Sequence, residues 1–241
     1  VPTSTTPSSP TTASFQVHRS DAVAWLRTLS SGSVDLVITD PPYESLEKHR
    51  AQGTTTRLKK SKASSNAWFS VFPNARLEEL FVELFRVLCN NSHLYIFCDQ
   101  ETAFLAKPIG ERVGFKFWKP LVWDKQKIGM GYHYRARYEF ILFFEKGRRR
   151  LNSLSIPDII SEPRIRGGYP TEKPVAVSKI LIRQSSTPQE LVADPFTGSG
   201  SVGEAALGLG RFFRGCDISP DAVSTARSRL ALISNSQSSS Q

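Results

Sequence analysis

Val34-Asp35-Leu36-Val37-Ile38-Thr39-Asp40-Pro41-Pro42-Tyr43 decides the reading of this chain. Its apolar half is a short continuous run of the kind found in a strand buried on both faces of a parallel sheet. Its second half sets an acid, two prolines and an aromatic at that strand's C-terminal end. Pro41 and Pro42 fix φ and carry no backbone N–H, so the turn offers only acceptors. Asp40 adds a carboxylate acceptor and Tyr43 a flat face. Such a pocket suits a planar group bearing an NH₂, and the exocyclic amine of adenine or cytosine is the obvious candidate.

A second unit stands far away in the chain. Leu191-Val192-Ala193-Asp194 reads as a strand, Pro195 to Gly203 as a Gly-rich turn, and Glu204 to Gly210 as a helix. A further strand, Arg211 to Cys216, ends in Asp217. Gly198 and Gly200 allow a tight turn and close approach of a ligand, and the Asp217 carboxylate can accept from ribose hydroxyls. The unit is therefore read as a nucleoside cofactor site. Gly198, Gly200 and Gly203 also fit the dinucleotide fingerprint. Asp194 argues against a pyrophosphate, which it would repel, and for an amino-acid ammonium.

Asp40-Pro41-Pro42-Tyr43, Asp194-Pro195-Phe196-Thr197-Gly198-Ser199-Gly200 and Tyr169-Pro170-Thr171-Glu172-Lys173-Pro174 together resemble the motifs of the amino-group DNA methyltransferases. These enzymes use S-adenosylmethionine (SAM) to methylate N6 of adenine or N4 of cytosine. Tyr169 and Glu172 depart from the His and Gln usual in the third motif. The catalytic motif precedes the cofactor motif, which matches the circularly permuted β-group. Matched segments run from about Phe15 to Leu232.

The resemblance implies a Rossmann-like α/β fold with a seven-stranded, mainly parallel sheet and an antiparallel hairpin at one edge. It implies catalysis by Asp40, Pro41, Pro42 and Tyr43. Tyr43 would stack on a flipped base while Asp40 and the Pro41 carbonyl accept its amino hydrogens. SAM would be held by Asp21, Thr171, Lys173, Asp194, Phe196, Gly198, Gly200 and Asp217, with Asp21 serving either the adenine of SAM or an N-cap. Adenine-N6 methylation of DNA is the leading expectation, because Asp at the first motif position is commoner in adenine enzymes. N4-cytosine methylation, RNA adenine methylation and a non-catalytic nucleic-acid-binding subunit are the alternatives.

The formal net charge is +9, from 31 basic and 22 acidic residues, which fits a polyanionic partner. One basic concentration, with Lys48, Arg50, Arg57, Lys59, Lys60 and Lys62, follows the catalytic motif directly. A second holds Lys146, Arg148, Arg149 and Arg150, then Arg164 and Arg166. Nucleic-acid contacts are expected from Lys48, Arg50, Lys59, Lys60, Lys62, Arg148 and Arg149. Tyr132, His133 and Arg135 are added from the connection before the last long strand, which resembles a family segment near the target base. Tyr132, His133 and Tyr134 read equally as a packed aromatic turn. A homo- or hetero-oligomer is compatible with this reading.

Cys89, Cys98 and Cys216 read as buried thiols, and the four histidines lack ligand spacing, so no metal is expected. No apolar run reaches membrane-span length and no secretory pattern is visible. The expected location is therefore the cytoplasm or nucleoid of a prokaryote. Residues 1–14 and 234–241 read as disordered tails around one domain, 15–233, with DNA-facing loops at about 44–74 and 145–168. The start at Val1 rather than Met is expected of a processed or trimmed chain. Helices are expected over Ala22–Leu29, Arg76–Cys89, Gln100 to about Arg112 and Val175–Ile182. Further strands are expected over Phe15–His18, His93–Cys98, Phe115–Trp123 and Arg137–Phe144.

Overall fold

The computed structural model describes residues 14–44, 70–129, 134–165, 167 and 171–238. Their elements run β1 (Phe15–Arg19), α1 (Ala22–Thr28), β2 (Val34–Thr39), a 3₁₀ turn (Asn74–Arg76), α2 (Leu77–Val87), β3 (Leu88–Cys98) and α3 (Gln100–Val113). β4 (Lys116–Asp124), β5 (Tyr138–Lys146) and β6 (Ile159–Ser161) follow. The chain then forms α4 (Val175–Ser185), β7 (Leu191–Asp194), α5 (Ser201–Leu207), β8 (Phe212–Asp217) and α6 (Pro220–Ser238).

The strands make one sheet in the order β1-β8-β7-β2-β3-β5-β4-β6. Among them only β5 runs against the rest. Two cores sandwich this sheet. Leu26, Leu80, Phe81, Leu84 and Ala106 bring α1, α2 and α3 onto one face. Val177, Leu181, Val202, Ala205, Ala226 and Leu230 bring α4, α5 and α6 onto the other. Both faces are covered, so the inner strands carry apolar side chains in both directions. On β2, Val37 joins the first core while Leu36 and Ile38 join the second.

The sheet has eight strands where seven were expected. Ile159–Ser161 pairs in parallel with Val122–Asp124 and takes the edge outside the β4–β5 hairpin. Three residues are too few to show an alternating pattern. The segment is fastened by Val122 N–H donating to the Asp158 carbonyl (2.8 Å) and Trp123 Nε1 donating to the Glu162 carbonyl (2.7 Å). The chain also leaves the helix at Leu88, where the periodicity continued to Cys89, because Leu88 pairs with Val34 in the sheet. α6 continues to Ser238, through residues read from sequence as a polar tail.

This topology fixes where a site can lie. β2 separates β7 from β3, so the chain winds outward in both directions from it, and the crevice at the C-terminal strand ends opens there. Asp40, Asp99, Asp194 and Asp217 all sit at this end. Because β5 is antiparallel, its first residues, Tyr138 and Glu139, arrive there too, whereas Lys146 lies opposite Ser92 at the far end.

A buried polar knot holds the far end. His93 is fully buried; its Nδ1 lies 2.7 Å from Ser185 Oγ and its Nε2 3.1 Å from the Arg149 carbonyl. A carbonyl only accepts, so Nε2 carries the proton and Nδ1 accepts from Ser185, which in turn accepts from the Tyr95 hydroxyl at 2.7 Å. Burial lowers the His93 pKa to about 4. The unfolded chain, with His near 6.5, therefore binds more protons in this window, and stability present above pH 6.5 is lost as pH falls towards 4. The loss should reach roughly 3 kcal/mol. Urea midpoints of the wild type should fall steadily from pH 7 to 4, and His93→Gln should flatten that slope. An unchanged slope in the variant would place the acid sensitivity elsewhere.

Candidate active site

Asp40 leaves the end of β2 and meets three other elements. Its Oδ1 accepts from the Tyr43 hydroxyl at 2.5 Å, and its Oδ2 is ion-paired with Lys173 Nζ. Lys173, just before α4, also contacts Glu139 Oε1 at 3.0 Å. The Tyr43 hydroxyl lies 3.2 Å from the same oxygen, and Lys125 Nζ lies 2.8 Å from Glu139 Oε2. Two acids and two lysines thus form one partly buried cluster of zero formal charge. Burial raises the Asp40 pKa, with Lys173 opposing and Glu139 reinforcing the rise. Burial works against ionised Glu139 as well, but Lys173 and Lys125 outweigh it and hold its pKa down.

The structure adds to two expectations here. Lys173 was expected beside the cofactor; it lines the cavity, and its ammonium is paired with Asp40 and Glu139, because β5 delivers a second carboxylate next to the first. Tyr43 was expected as an open stacking face, yet it is only 8% exposed and its hydroxyl anchors Asp40. The cavity beside it has further aromatic walls in Trp123, Tyr138 and Phe140. Pro41 and Pro42 line the cavity, and the Pro42 carbonyl accepts from Phe72 N–H at 2.8 Å, which ties the turn to the chain entering α2.

The Gly-rich turn forms the other side of the same cavity. Asp194 is buried; its Oδ1 accepts from Thr39 Oγ1 (2.8 Å) and Phe196 N–H (3.0 Å), and burial pushes its pKa up to about 7. Asp217 accepts from Gly198 N–H through Oδ2 and Ser219 N–H through Oδ1, both at 2.9 Å. Gly200 has φ +84°, and a Cβ there would lie 3.1 Å from Ala226 Cα. Phe196 packs edge-on against Phe72 with centroids 5.2 Å apart. A Gly-rich turn packed too closely on α6 to admit a Cβ at Gly200, a buried acid and a strand-end acid fit a nucleoside bearing an ammonium, as SAM does.

Asp21 is the N-cap of α1, accepting from Val23 and Ala24 N–H at 3.1 Å, and it also lines the cavity. Arg76 grips it at 2.8 Å and lowers its pKa. Thr171 lines the cavity with φ +63°. Glu172, the departure in the third motif, is buried against Arg229 from α6 at 2.7 Å. Arg229 also pairs with Glu204 and reaches the Ser199 carbonyl (3.3 Å) and hydroxyl (3.1 Å). It thereby staples the third motif to the Gly-rich turn, and Glu at this position has a partner that Gln would bind less strongly.

The basic residues divide. Arg148 and Arg149 stand at the far end of β5, and Arg149 is engaged by Glu190 at 3.0 Å, so the structure removes both from the site end. Lys146 there donates to the Phe85 and Leu88 carbonyls. Arg135 is exposed on the approach to β5, and Arg164 lines the cavity mouth. Lys48, Arg50, Lys59, Lys60, Lys62, Tyr132 and His133 lie outside the described residues. Glu139, Lys125 and Arg229 were missed. Glu139 had a signal, a lone acid opening the apolar run Phe140 to Phe144; Arg229 had none, since α6 is weakly patterned.

Among the described residues no group of three His, Cys, Asp or Glu could hold a metal ion, and no helix is long and apolar enough to cross a membrane. Cys89, Cys98 and Cys216 are free thiols.

The chain matches the DNA methylase family model for N6 and N4 enzymes over residues 34–228. It is 27% identical to the type II methyltransferase M.HpaI of Haemophilus parainfluenzae, covering 88% of this chain and 72% of that one. It is likewise 27% identical to the DNA adenine methyltransferase YhdJ of Escherichia coli K12, covering 89% and 82%. The crystal structure of an M1.HpyAVI–SAM complex superposes with a TM-score of 0.67 at 23% identity, over 90% of this chain and all of that one. The chain belongs to the DNA methylase family, the SAM-dependent enzymes that methylate N6 of adenine or N4 of cytosine in DNA.

Proposed function

We propose that this chain transfers the methyl group of SAM to N6 of adenine in DNA. One observation carries the reading. A single cavity of about 680 Å³ is lined on one side by Asp194, Gly198 and Asp217 and on the other by Asp40, Pro41 and Tyr43. Cofactor and target would thus lie side by side in one space. Asp at the first motif position supports adenine over cytosine, as does the likeness to a named adenine enzyme.

Asp194 would receive the amino-acid ammonium of SAM and Asp217 its ribose hydroxyls, with Asp21, Thr171 and Phe196 completing the pocket around the turn of Gly198 and Gly200. SAM supplies a methyl group already activated on a sulfonium. The target adenine must leave the helix stack, at a cost of roughly a few kcal/mol. Tyr43, Trp123, Tyr138 and Phe140 offer apolar walls for it. Asp40 and the Pro41 carbonyl would accept the two amino hydrogens, which directs the nitrogen lone pair out of the ring plane. The protein's contribution is alignment and fixed charge. Arg164 at the mouth and exposed Arg135 on the approach to β5 would meet phosphates, together with the basic stretch after Tyr43, so binding should weaken steeply with salt.

Transfer of labelled methyl groups from SAM to mixed-sequence duplex DNA and to RNA, followed by nucleoside mass spectrometry, tests the reading. N6-methyldeoxyadenosine is the expected product. N4-methyldeoxycytidine would overturn the base assignment, methylated RNA the polymer, and SAM binding without any product the catalytic role. Gly200→Val should raise the SAM dissociation constant by at least about tenfold, because a side chain at φ +84° strains the turn and meets Ala226. Calorimetry showing a change under about twofold would contradict the cradle assigned to that turn.

A further inference from the structure

Glu139 has no place in the motifs, yet among the described residues it touches both donors that contact Asp40, Tyr43 and Lys173. It stands second in β5, with its side chain 12% exposed. Its Oε1 faces both Lys173 Nζ (3.0 Å) and the Tyr43 hydroxyl (3.2 Å), the two groups that also contact Asp40. Its Oε2 is matched by Lys125, whose side chain is 27% exposed and faces the Trp123 ring. Both donors contact Asp40 and each is shared at longer range with Glu139, so without Glu139 they would satisfy Asp40 more fully, and a carboxylate so satisfied is a poorer acceptor for a third donor.

From this geometry we infer that Glu139 is a positioning residue for methyl transfer: by sharing Lys173 and Tyr43, and by setting a second negative charge beside Asp40, it keeps Asp40 a stronger acceptor for the target amino group and for the proton that group releases. The inference rests on the amino-methyltransferase reading above. As the new N–C bond forms, the C–S bond breaks and its electrons stay on sulfur, so the nitrogen becomes cationic. The N–H electrons return to nitrogen when one proton passes to the Asp40 carboxylate, and from there it leaves to solvent. Glu139 forms no bond in this sequence; it sets how readily Asp40 accepts.

Asp40 is faced by Tyr43 from its own turn, by Lys173 from the segment before α4 and by Glu139 from β5, with Lys125 behind. Among the described residues, Cys98 at the end of β3 and Asp194 at the end of β7 also feel its charge. Removing the Glu139 charge should therefore make Asp40 a stronger acid, and removing Lys173 should make it a weaker one.

The test uses Glu139→Gln, Glu139→Asp and Lys173→Gln in the full chain. The first readout is ¹³C-carboxyl NMR of aspartate-labelled free protein, with the Asp40 signal identified by its loss in Asp40→Asn. The Asp40 midpoint should fall by about one pH unit in Glu139→Gln and rise by about one or more in Lys173→Gln. The second readout is kcat against pH at saturating SAM and DNA, which reports the complex and not cofactor capture by Asp194. Its acid limb should move in the same two directions. Glu139→Gln should lose about tenfold in kcat on the plateau with SAM affinity unchanged, and Glu139→Asp should recover most of it. If Lys173→Gln does not fold, the Glu139 pair decides alone. An unmoved Asp40 midpoint overturns the inference, and so does an unmoved limb in an active wild type. No transfer by the wild type overturns the reading beneath it, while the NMR result stands apart from that outcome.

Discussion

The buried ammonium of Lys173 between Asp40 and Glu139 is the constraint on which the site depends. Each carboxylate alone would resist ionisation at such a depth, and the lysine alone would resist its charge. Together, with Lys125 behind Glu139, they balance. Removing one member of such a cluster leaves an uncompensated buried charge, a change that costs about 3–5 kcal/mol in buried pairs generally. The cluster is also what joins the elements at this end of the sheet. Asp40 comes from β2, Glu139 from β5 and Lys173 from the segment before α4, so their meeting requires the antiparallel run of β5.

The Gly-rich side of the cavity is built by the same logic with backbone groups in place of lysines. Asp217 is held by two backbone N–H groups and Asp194 by Thr39 and the Phe196 N–H. Asp194 also reaches across to β2 through Thr39, the residue before Asp40, so a hydrogen bond links the two sides directly. Arg229 then locks the segment carrying Lys173 to the Gly-rich turn through Glu172 and Ser199.

Much of this was legible in the sequence because it lies in local patterns. The runs Val34–Thr39 and Leu191–Asp194 announce buried strands, and the glycines and prolines after them announce their turns. The acids at strand ends followed from those strands. What was hidden depends on contacts between distant segments. Glu139 gains its role only because β5 is antiparallel and brings its first residues to the site; the same reversal carries Arg148 and Arg149, basic and near in sequence, to the opposite end. The pairing of Lys173 with Asp40 and Glu139 was not legible, since its motif resemblance carried no information about β5. The three-residue edge strand Ile159–Ser161 gave no period to read, and Arg229 lies in a helix whose pattern is too weak to single out one cation.

The central claim is a division of labour within one cavity, cofactor capture at Asp194 and amino-group acceptance at Asp40. Calorimetric SAM binding to Asp194→Asn and Asp40→Asn, compared side by side with the wild type, tests it most directly. Asp194→Asn should weaken SAM binding by about tenfold or more while Asp40→Asn should stay within a few-fold of the wild type. Equal losses in the two variants, or a larger loss at Asp40, would contradict it.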